Sequence, residues 1–473
     1  MIGMGIDFGT SNCAVATYDG EKLFGMTLDT ASLDPEVMPS ALYLSRERQA
    51  TVGQAAVDLY LAENSGRRVE LERETLGVLQ LTVADTDQTQ LPDCDGLTIQ
   101  SEVHALTDAG LPGRLFRGVK RWLGATTLDS VRVFGAHYRI VALVTPVLAH
   151  LASTARAQLP RSRARVYVGR PVHYEGESSS ADTRAVARMH EACGYAGLQD
   201  ARLYPEPVAA ALTHVALRRA EGCELLLAFD FGGGTLDLSL IRAHRGAFEV
   251  QATHGLGLGG DEINREMYRQ LVFPELGCGL HQHIVVDESR IRVEFPFDRF
   301  ADRLLAWPLA YELHRRELCE LIVQGMREGP MERRRLGRLL ELIRRNRAYE
   351  VFQAIESCKL ALSTKTRARI QVEELDLDVS VTRVQLERLL TRALTRIDVA
   401  LERVLGAAGV RAEAVDRVVR TGGSSRIPAV VRRLEEWFPG RVLEDAPFTS
   451  IAAGLAIASF QGTGVPAALD LRA

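Results

Sequence analysis

Two short runs of this chain carry an aspartate, then glycines, then hydroxyls, in the same order. Gly5-Ile6-Asp7-Phe8-Gly9-Thr10-Ser11-Asn12 opens the chain, and Ala228-Phe229-Asp230-Phe231-Gly232-Gly233-Gly234-Thr235 lies 223 residues later. Each predicts an apolar strand ending near its Asp, a tight turn and a second strand, from Ala14 to Tyr18 and from Leu236 to Ile241. Turn glycines let backbone N–H groups close around phosphate oxygens. The hydroxyls of Thr10, Ser11 and Thr235 add donors. Asp7 and Asp230 offer a carboxylate to Mg2+, directly or through water. Two such hairpins facing each other would clamp a polyphosphate and its metal from both sides.

Other phosphate and catalytic signatures fall away. Of the 57 basic residues only Lys22, Lys120, Lys359 and Lys365 are lysine, and none of them completes a Gly-Lys-Ser/Thr phosphate loop. There is no His-Glu-x-x-His helix and no Gly-x-Ser-x-Gly elbow. The Asp-Phe-Gly triplets lack the His-Arg-Asp loop and strand lysine of protein kinases. Gly255 to Gly260 fits Gly-x-Gly-x-x-Gly between a strand-like and a helix-like run, but no apolar strand carries Glu275, the candidate ribose acid. Cys278, His281 and His283 have no fourth spaced ligand for a metal.

The elements that must position these residues fit a large globular chain. Its 473 residues are 46% hydrophobic and 25% charged, enough for two to four domains and a sizeable core. A net charge of −4 predicts no general affinity for nucleic acid or anionic membrane. Seven cysteines with no Cys-x-x-Cys pair fit free thiols and a cytoplasmic setting. The apolar stretch Ile140 to Ala152 is interrupted by Thr145, Pro146 and His150 and is too short to span a bilayer.

The chain resembles the seventy-kilodalton heat-shock chaperones in their actin-like ATPase domain. The resemblance follows the family's order. Asp7 to Asn12 is similar to its first phosphate loop, and Gly118-Val119-Lys120-Arg121-Trp122-Leu123-Gly124 to the segment bearing its catalytic lysine. Val168 to Pro171 resembles the strand ending in the switch proline, and Glu206-Pro207-Val208-Ala209-Ala210-Ala211 the connecting segment. Asp230 to Asp237 resembles the second phosphate loop and Leu258-Gly259-Gly260 the third. Glu356, Lys359 and Ser363 are similar to the adenosine helix, and Thr421-Gly422-Gly423-Ser424-Ser425-Arg426 to the adenosine loop. Two of only four lysines, Lys120 and Lys359, thus fall on lysine positions of the motif, where a compact point charge is not replaced by a forked guanidinium.

The resemblance implies ATP and ADP as ligands, with Mg2+. Lys120 would orient the attacking water and offset γ-phosphate charge. Asp7 and Asp230 would organise the metal shell, Glu206 and Asp237 would position water, and Thr235 would contact the γ-phosphate. Gly9, Thr10, Ser11, Asn12, Gly232, Gly233 and Gly234 would cradle phosphates, with Gly259 and Gly260 closing from the other lobe. Glu356, Lys359, Ser363, Gly422, Gly423, Ser424 and Arg426 would hold adenosine. Catalysis would rest on positioning and electrostatics.

The expected architecture is α/β with two lobes. Lobe one would take residues 1–222, its outer part around 41–134 holding an acidic insertion at 58–116 with eleven acids against four arginines. Lobe two would take 223–445, its outer part around 261–374, and 446–473 would be a helix returning to lobe one plus a short tail. Thirteen residues follow Phe460, too few for a peptide-binding domain, so the short chaperone-like members with the ATPase part alone are the nearest in kind. Asp261-Glu262 departs from the family's acid-then-Asp. Arg327 to Arg347 holds eight arginines against three glutamates with helical spacing at Leu336, Leu339, Leu340 and Ile343: a solvated amphipathic helix or a docking surface for a protein partner. The competing functions are a filament-forming actin relative and a small-molecule kinase of the same superfamily.

Overall fold

A computed structural model of the chain describes residues 2–83, 97–159, 164–174, 179–218, 223–244, 247–443 and 450–464. The apolar run before each Asp is the central strand of a sheet. Ile2–Phe8 pairs antiparallel with Asn12–Tyr18 and parallel with Ala164–Arg170, which pairs parallel with Arg202–Pro205. Cys223–Phe231 pairs antiparallel with Leu236–His244 and parallel with Arg417–Thr421, which pairs parallel with Val442–Leu443. Leu23–Gly25 and Ala247–Leu256 each add an antiparallel strand beyond their hairpin. Apart from Val37–Pro39, a sixth strand that pairs antiparallel with Asn12–Tyr18 in the first sheet, the five strands of each, numbered in chain order, run 3-2-1-4-5 with the same directions, so one construction is used twice.

Helices bury both faces, which is why the central strands are apolar without alternation. Two helices, Glu206–Arg218 and Ser450–Gln461, lie between the sheets and share a core with both, through Leu226, Ala228 and Val419 on one side and Tyr167 and Tyr204 on the other. Every residue from Ser450 to Ser459 is buried, as expected for a helix apolar all round. It lies so close to the first strand that a Cβ on Gly5 would stand 2.1 Å from the Ala452 carbonyl oxygen. On the outer face of lobe one, Ile140–Gln158 is long and apolar enough to cross a membrane by length and composition. Nine of its residues are instead buried in the lobe's core.

Each lobe carries an outer part. In the first, Ala50–Val52, Ala41–Ser45 and Gly113–Arg117 form a small sheet beside helix Gln54–Asn64. The span 58–116 runs from inside that helix to inside that sheet, and between them a long hairpin pairs Leu71–Val83 with Leu97–Asp108. Residues 84–96 of the acidic span, and 465–473 of the tail, lie outside the described residues. In the second lobe, helices Pro330–Arg344 and Ala348–Thr364 dominate, with Leu336, Leu339, Leu340 and Ile343 all buried. The outer parts meet in an aromatic roof. Tyr349 lies 4.5 Å from Trp307 and 5.2 Å from Tyr60, centroid to centroid. The six described cysteines are unbridged.

Candidate functional site

The two glycine turns face each other across the cleft and touch: a Cβ on Gly233 would stand 1.9 Å from Ser11 Oγ. Gly9 is fixed by its own turn, where a Cβ would meet the Asn12 carbonyl oxygen at 2.2 Å. Gly259 precedes helix Gly260–Met267, and the start of that helix docks on the second turn. The Gly260 amide donates to the Gly232 carbonyl at 3.0 Å, and the Asp261 amide to that of Gly233 at 2.8 Å. Only glycine fits there, since a Cβ on Gly259 would lie 2.2 Å from the Gly233 carbonyl oxygen. Gly422, at φ +77°, brings the Gly422-Gly423-Ser424 turn against the same loop, and Ser424 Oγ donates to the Gly232 carbonyl at 2.9 Å.

The cavity between the hairpins is lined by Asp7, Lys120, Glu206, Asp230, Thr235 and Asp237. Lys120 sits in the short 3-10 turn Val119–Trp122, and Glu206 at the first position of its helix. Lys120 Nζ donates to Glu206 Oε1 at 2.6 Å, and both side chains are buried. Gly169 makes room for that carboxylate, since a Cβ there would come within 3.0 Å of Glu206 Oε1. Asp230 and Asp237 are directly opposite in the hairpin ladder, and Thr235 Oγ1 donates to Asp237 Oδ2 at 2.8 Å.

Four carboxylates against Lys120 and Arg121 leave this pocket with surplus negative charge. Burial, and then the neighbouring Glu206, hold Asp7 well above the usual carboxylate range. Burial and Glu206 push Asp230 up to about 6, and burial and Asp230 push Asp237 up to about 7. For Lys120, burial works against the charge, but Glu206 and Asp7 outweigh it and hold the ammonium protonated. Among the described residues no three His, Cys, Asp or Glu side chains converge as a metal cage. Surplus carboxylate beside a cradle of backbone amides suits Mg2+ carried in on phosphate oxygens and water, the usual habit of that ion.

The other candidates lie beyond this pocket. Glu356, Lys359 and Ser363 share one face of helix Ala348–Thr364. Lys359 Nζ donates to the Gly260 carbonyl at 3.1 Å, tying that helix to the third glycine turn. Arg426 ends the turn Gly423–Arg426 and is exposed. Glu356 meets a residue that sequence reasoning missed: Arg117 Nη1 donates to its Oε2 at 3.1 Å, from the other lobe. Arg121 reaches across in the same way to Asp261 Oδ2, at 3.3 Å. Sequence reasoning also missed Ser40, whose Oγ donates to the Gly9 carbonyl at 2.6 Å and contacts Cys13 Sγ at 3.0 Å. Tyr174 also lines the pocket, its hydroxyl buried with no hydrogen-bond partner among the described residues. Asp182 fixes it there by accepting the Tyr174 amide at 2.7 Å. None of these forms a motif along the chain, because each acts across a fold contact.

Gly255 to Gly260 begins within the end of an antiparallel strand, Ala247–Leu256, and has no βαβ setting. His283 Nδ1 lies 2.7 Å from Glu328 Oε2.

Twin 3-2-1-4-5 sheets, glycine hairpins facing across a cleft and two helices between them define the actin-like ATPase fold. A family model described as Hsp70 protein matches residues 121–273 and 340–462. The chain belongs to the Hsp70 family. It is 30% identical over 302 residues to the heat shock cognate HSP70 protein of Trypanosoma brucei brucei, covering 63% of this chain and 36% of that protein. It is 27% identical over 339 residues to the chaperone protein dnaK1 of Synechocystis sp., covering 69% and 40%. To the chaperone protein HscA of Klebsiella pneumoniae it is 27% identical over 377 residues, covering 75% and 48%. The chain therefore spans less than half the length of these relatives.

Proposed function

We propose that this protein binds ATP and ADP with Mg2+ and hydrolyses ATP slowly, as a nucleotide-driven switch for a protein partner in the cytoplasm. The observation that carries this reading is the buried Lys120–Glu206 pair, set among Asp7, Asp230 and Asp237 between two glycine hairpins.

The division of labour follows from the positions. Backbone amides of the turns at Gly9 to Asn12 and Gly232 to Gly234 receive phosphate oxygens, with Thr10, Ser11 and Thr235 adding hydroxyl donors. Gly259 and Gly260 close on them from the side. Asp7 and Asp230 would hold Mg2+, which would supply charge neutralisation at the phosphates. Glu206 and Asp237 accept hydrogen bonds from the attacking water, and the Tyr174 hydroxyl offers it a further donor. Lys120 holds a positive charge where charge redistributes in transfer. Glu356, Lys359 and Ser363 take the ribose side, with Gly422, Gly423, Ser424 and Arg426 beside the base. In this reading lobe one spans 1–222 and lobe two 223–445, with residues from 446 returning to lobe one.

Calorimetry with ATP and ADP in Mg2+, followed by single-turnover hydrolysis, tests it. Tight binding with hydrolysis far slower than phosphoryl transfer by a metabolic kinase fits the reading. No binding of either nucleotide would overturn it.

A further inference from the structure

The arginine-rich helix Pro330–Arg344 and the turn after it divide in two. Toward lobe two its charges are spent on structure. Arg338, buried, donates to Glu275 Oε2 at 2.5 Å and to the Asp376 carbonyl, and Arg334 and Arg335 reach Asp376 and Glu275. Arg347 Nη1 donates to both carboxylate oxygens of Glu350. Arg344 and Arg345 turn the other way, into a concavity at the seam between the outer parts of the lobes. There they meet Arg68 from lobe one, with His314 and Arg316 completing the basic wall.

The charges in this basin do not balance. Its only lining carboxylate among the described residues is Glu341, which pairs with Arg345 at 3.4 Å. Arg316 turns out to Glu320 on its own helix. Arg68 and Arg344 are both exposed and have no carboxylate partner among the described residues. His314 registers the field: burial first, then Arg68 and Arg344, hold its imidazole below its ordinary value, against a weaker opposing pull from Asp108. Like charges held around one concavity repel one another and focus a positive potential, and an anion relieves both. Guanidinium forks suit the paired oxygens of phosphate groups.

We propose that the basin of Arg68, His314, Arg344 and Arg345 is a binding site for a multivalent oxyanion of the phosphate type, separate from the nucleotide cleft and spanning the seam between the lobes. Its position gives it a consequence. The Gly66 amide of lobe one donates to the Arg345 carbonyl of lobe two at 2.8 Å, and the Asn346 side chain donates to the Asn64 carbonyl at 3.1 Å. Arg345 Nη1 also donates to the Gly66 carbonyl at 3.4 Å, and an anion gripped by Arg68 and Arg344 together adds a further tie across the same seam and holds it shut.

The test uses the full chain, without nucleotide, and pyrophosphate as probe. NMR of the His314 ring follows its titration, which anion bound in the distant glycine cradle would leave unmoved. With pyrophosphate the His314 pKa rises, because the anion offsets Arg68 and Arg344, and hydrogen exchange at the Gly66 amide slows. Arg344→Gln and Arg68→Gln each weaken the response about tenfold or more, as loss of a charged hydrogen-bond donor does. Arg333→Gln, on the exposed side of the same helix, leaves it intact. A second arm uses a doubly phosphorylated peptide: tighter binding than pyrophosphate assigns the oxyanion to a protein partner, and equal binding assigns it to a free small anion. An unmoved His314 with both probes, or a response unchanged in Arg344→Gln, would overturn the proposal.

Discussion

Replacing Asp237 by asparagine should make the nucleotide-free protein more stable at neutral pH while damaging its chemistry. The side chain is buried, and burial with the Asp230 charge opposite moves its carboxyl from 3.8 to about 7. The sign follows from proton linkage. The folded state holds this proton more tightly than the unfolded chain, so the protonated group costs nothing at low pH. The penalty grows as pH rises from about 4 to about 7 and is constant above. At about 1.4 kcal/mol per pH unit, a carboxyl so displaced carries a penalty of roughly 4 kcal/mol at pH 8. Asp7, Asp230 and Glu206 share the pocket and relax when one charge is removed, so the expected gain is about 2–4 kcal/mol. Asparagine keeps the size and can still accept from Thr235 Oγ1, which isolates the charge as the variable. The assay is thermal unfolding of wild type and Asp237→Asn without nucleotide, from pH 5 to pH 8. With roughly 2–4 °C per kcal/mol for a unit the size of one lobe, the variant should melt at least about 4 °C higher at pH 8. The gain should shrink toward pH 5. An equal gain at both ends, or a loss at pH 8, would refute the charge-crowding account of this pocket.

Further expectations can be checked alongside. Gly260→Ala puts a Cβ 2.7 Å from Ser424 Oγ and 2.9 Å from Lys359 Nζ, so calorimetry should find nucleotide affinity reduced about tenfold or more with the melting temperature little changed. Gly5→Ala drives a methyl into the Ala452 carbonyl and should cost about 1–3 kcal/mol in denaturant unfolding, the range for overpacked cores. Tyr349→Ala removes the centre of the aromatic roof; it should cost about 3 kcal/mol or more and speed release of a fluorescent ADP analogue in stopped flow. Tyr174→Phe keeps the ring and deletes the unpartnered hydroxyl, and should slow single-turnover hydrolysis with ATP affinity unchanged.

The parts of this molecule legible in the sequence are those that act locally. An Asp at a strand end followed by glycines announces a hairpin, and finding the pattern twice announces a duplication, which the matched 3-2-1-4-5 sheets display. Leu336, Leu339, Leu340 and Ile343 mark a helix face by spacing alone, and all four are buried. What the sequence concealed depends on the return of the chain. Arg117 and Glu356 are 239 residues apart and meet only because two outer parts lean together. Ser40 braces the first glycine turn from 31 residues away. The arginine helix illustrates the same limit: its composition suggested one surface, while the structure divides it between buried ties to Glu275 and Asp376 and an unbalanced cluster at the seam.

In the proposed function Lys120 supplies charge to phosphoryl transfer and not to nucleotide binding. This role is tested by single-turnover ATP hydrolysis, with ATP affinity measured on the same samples, in wild type, Lys120→Ala and Lys120→Arg. The glycine cradle is mostly backbone, so affinity should hold in both variants. Hydrolysis should fall about 10²–10³-fold in Lys120→Ala. It should fall nearly as far in Lys120→Arg, because a forked, longer cation cannot sit where Nζ now meets Glu206 at 2.6 Å. Hydrolysis in Lys120→Arg at the wild-type rate would contradict the account and move the catalytic centre elsewhere.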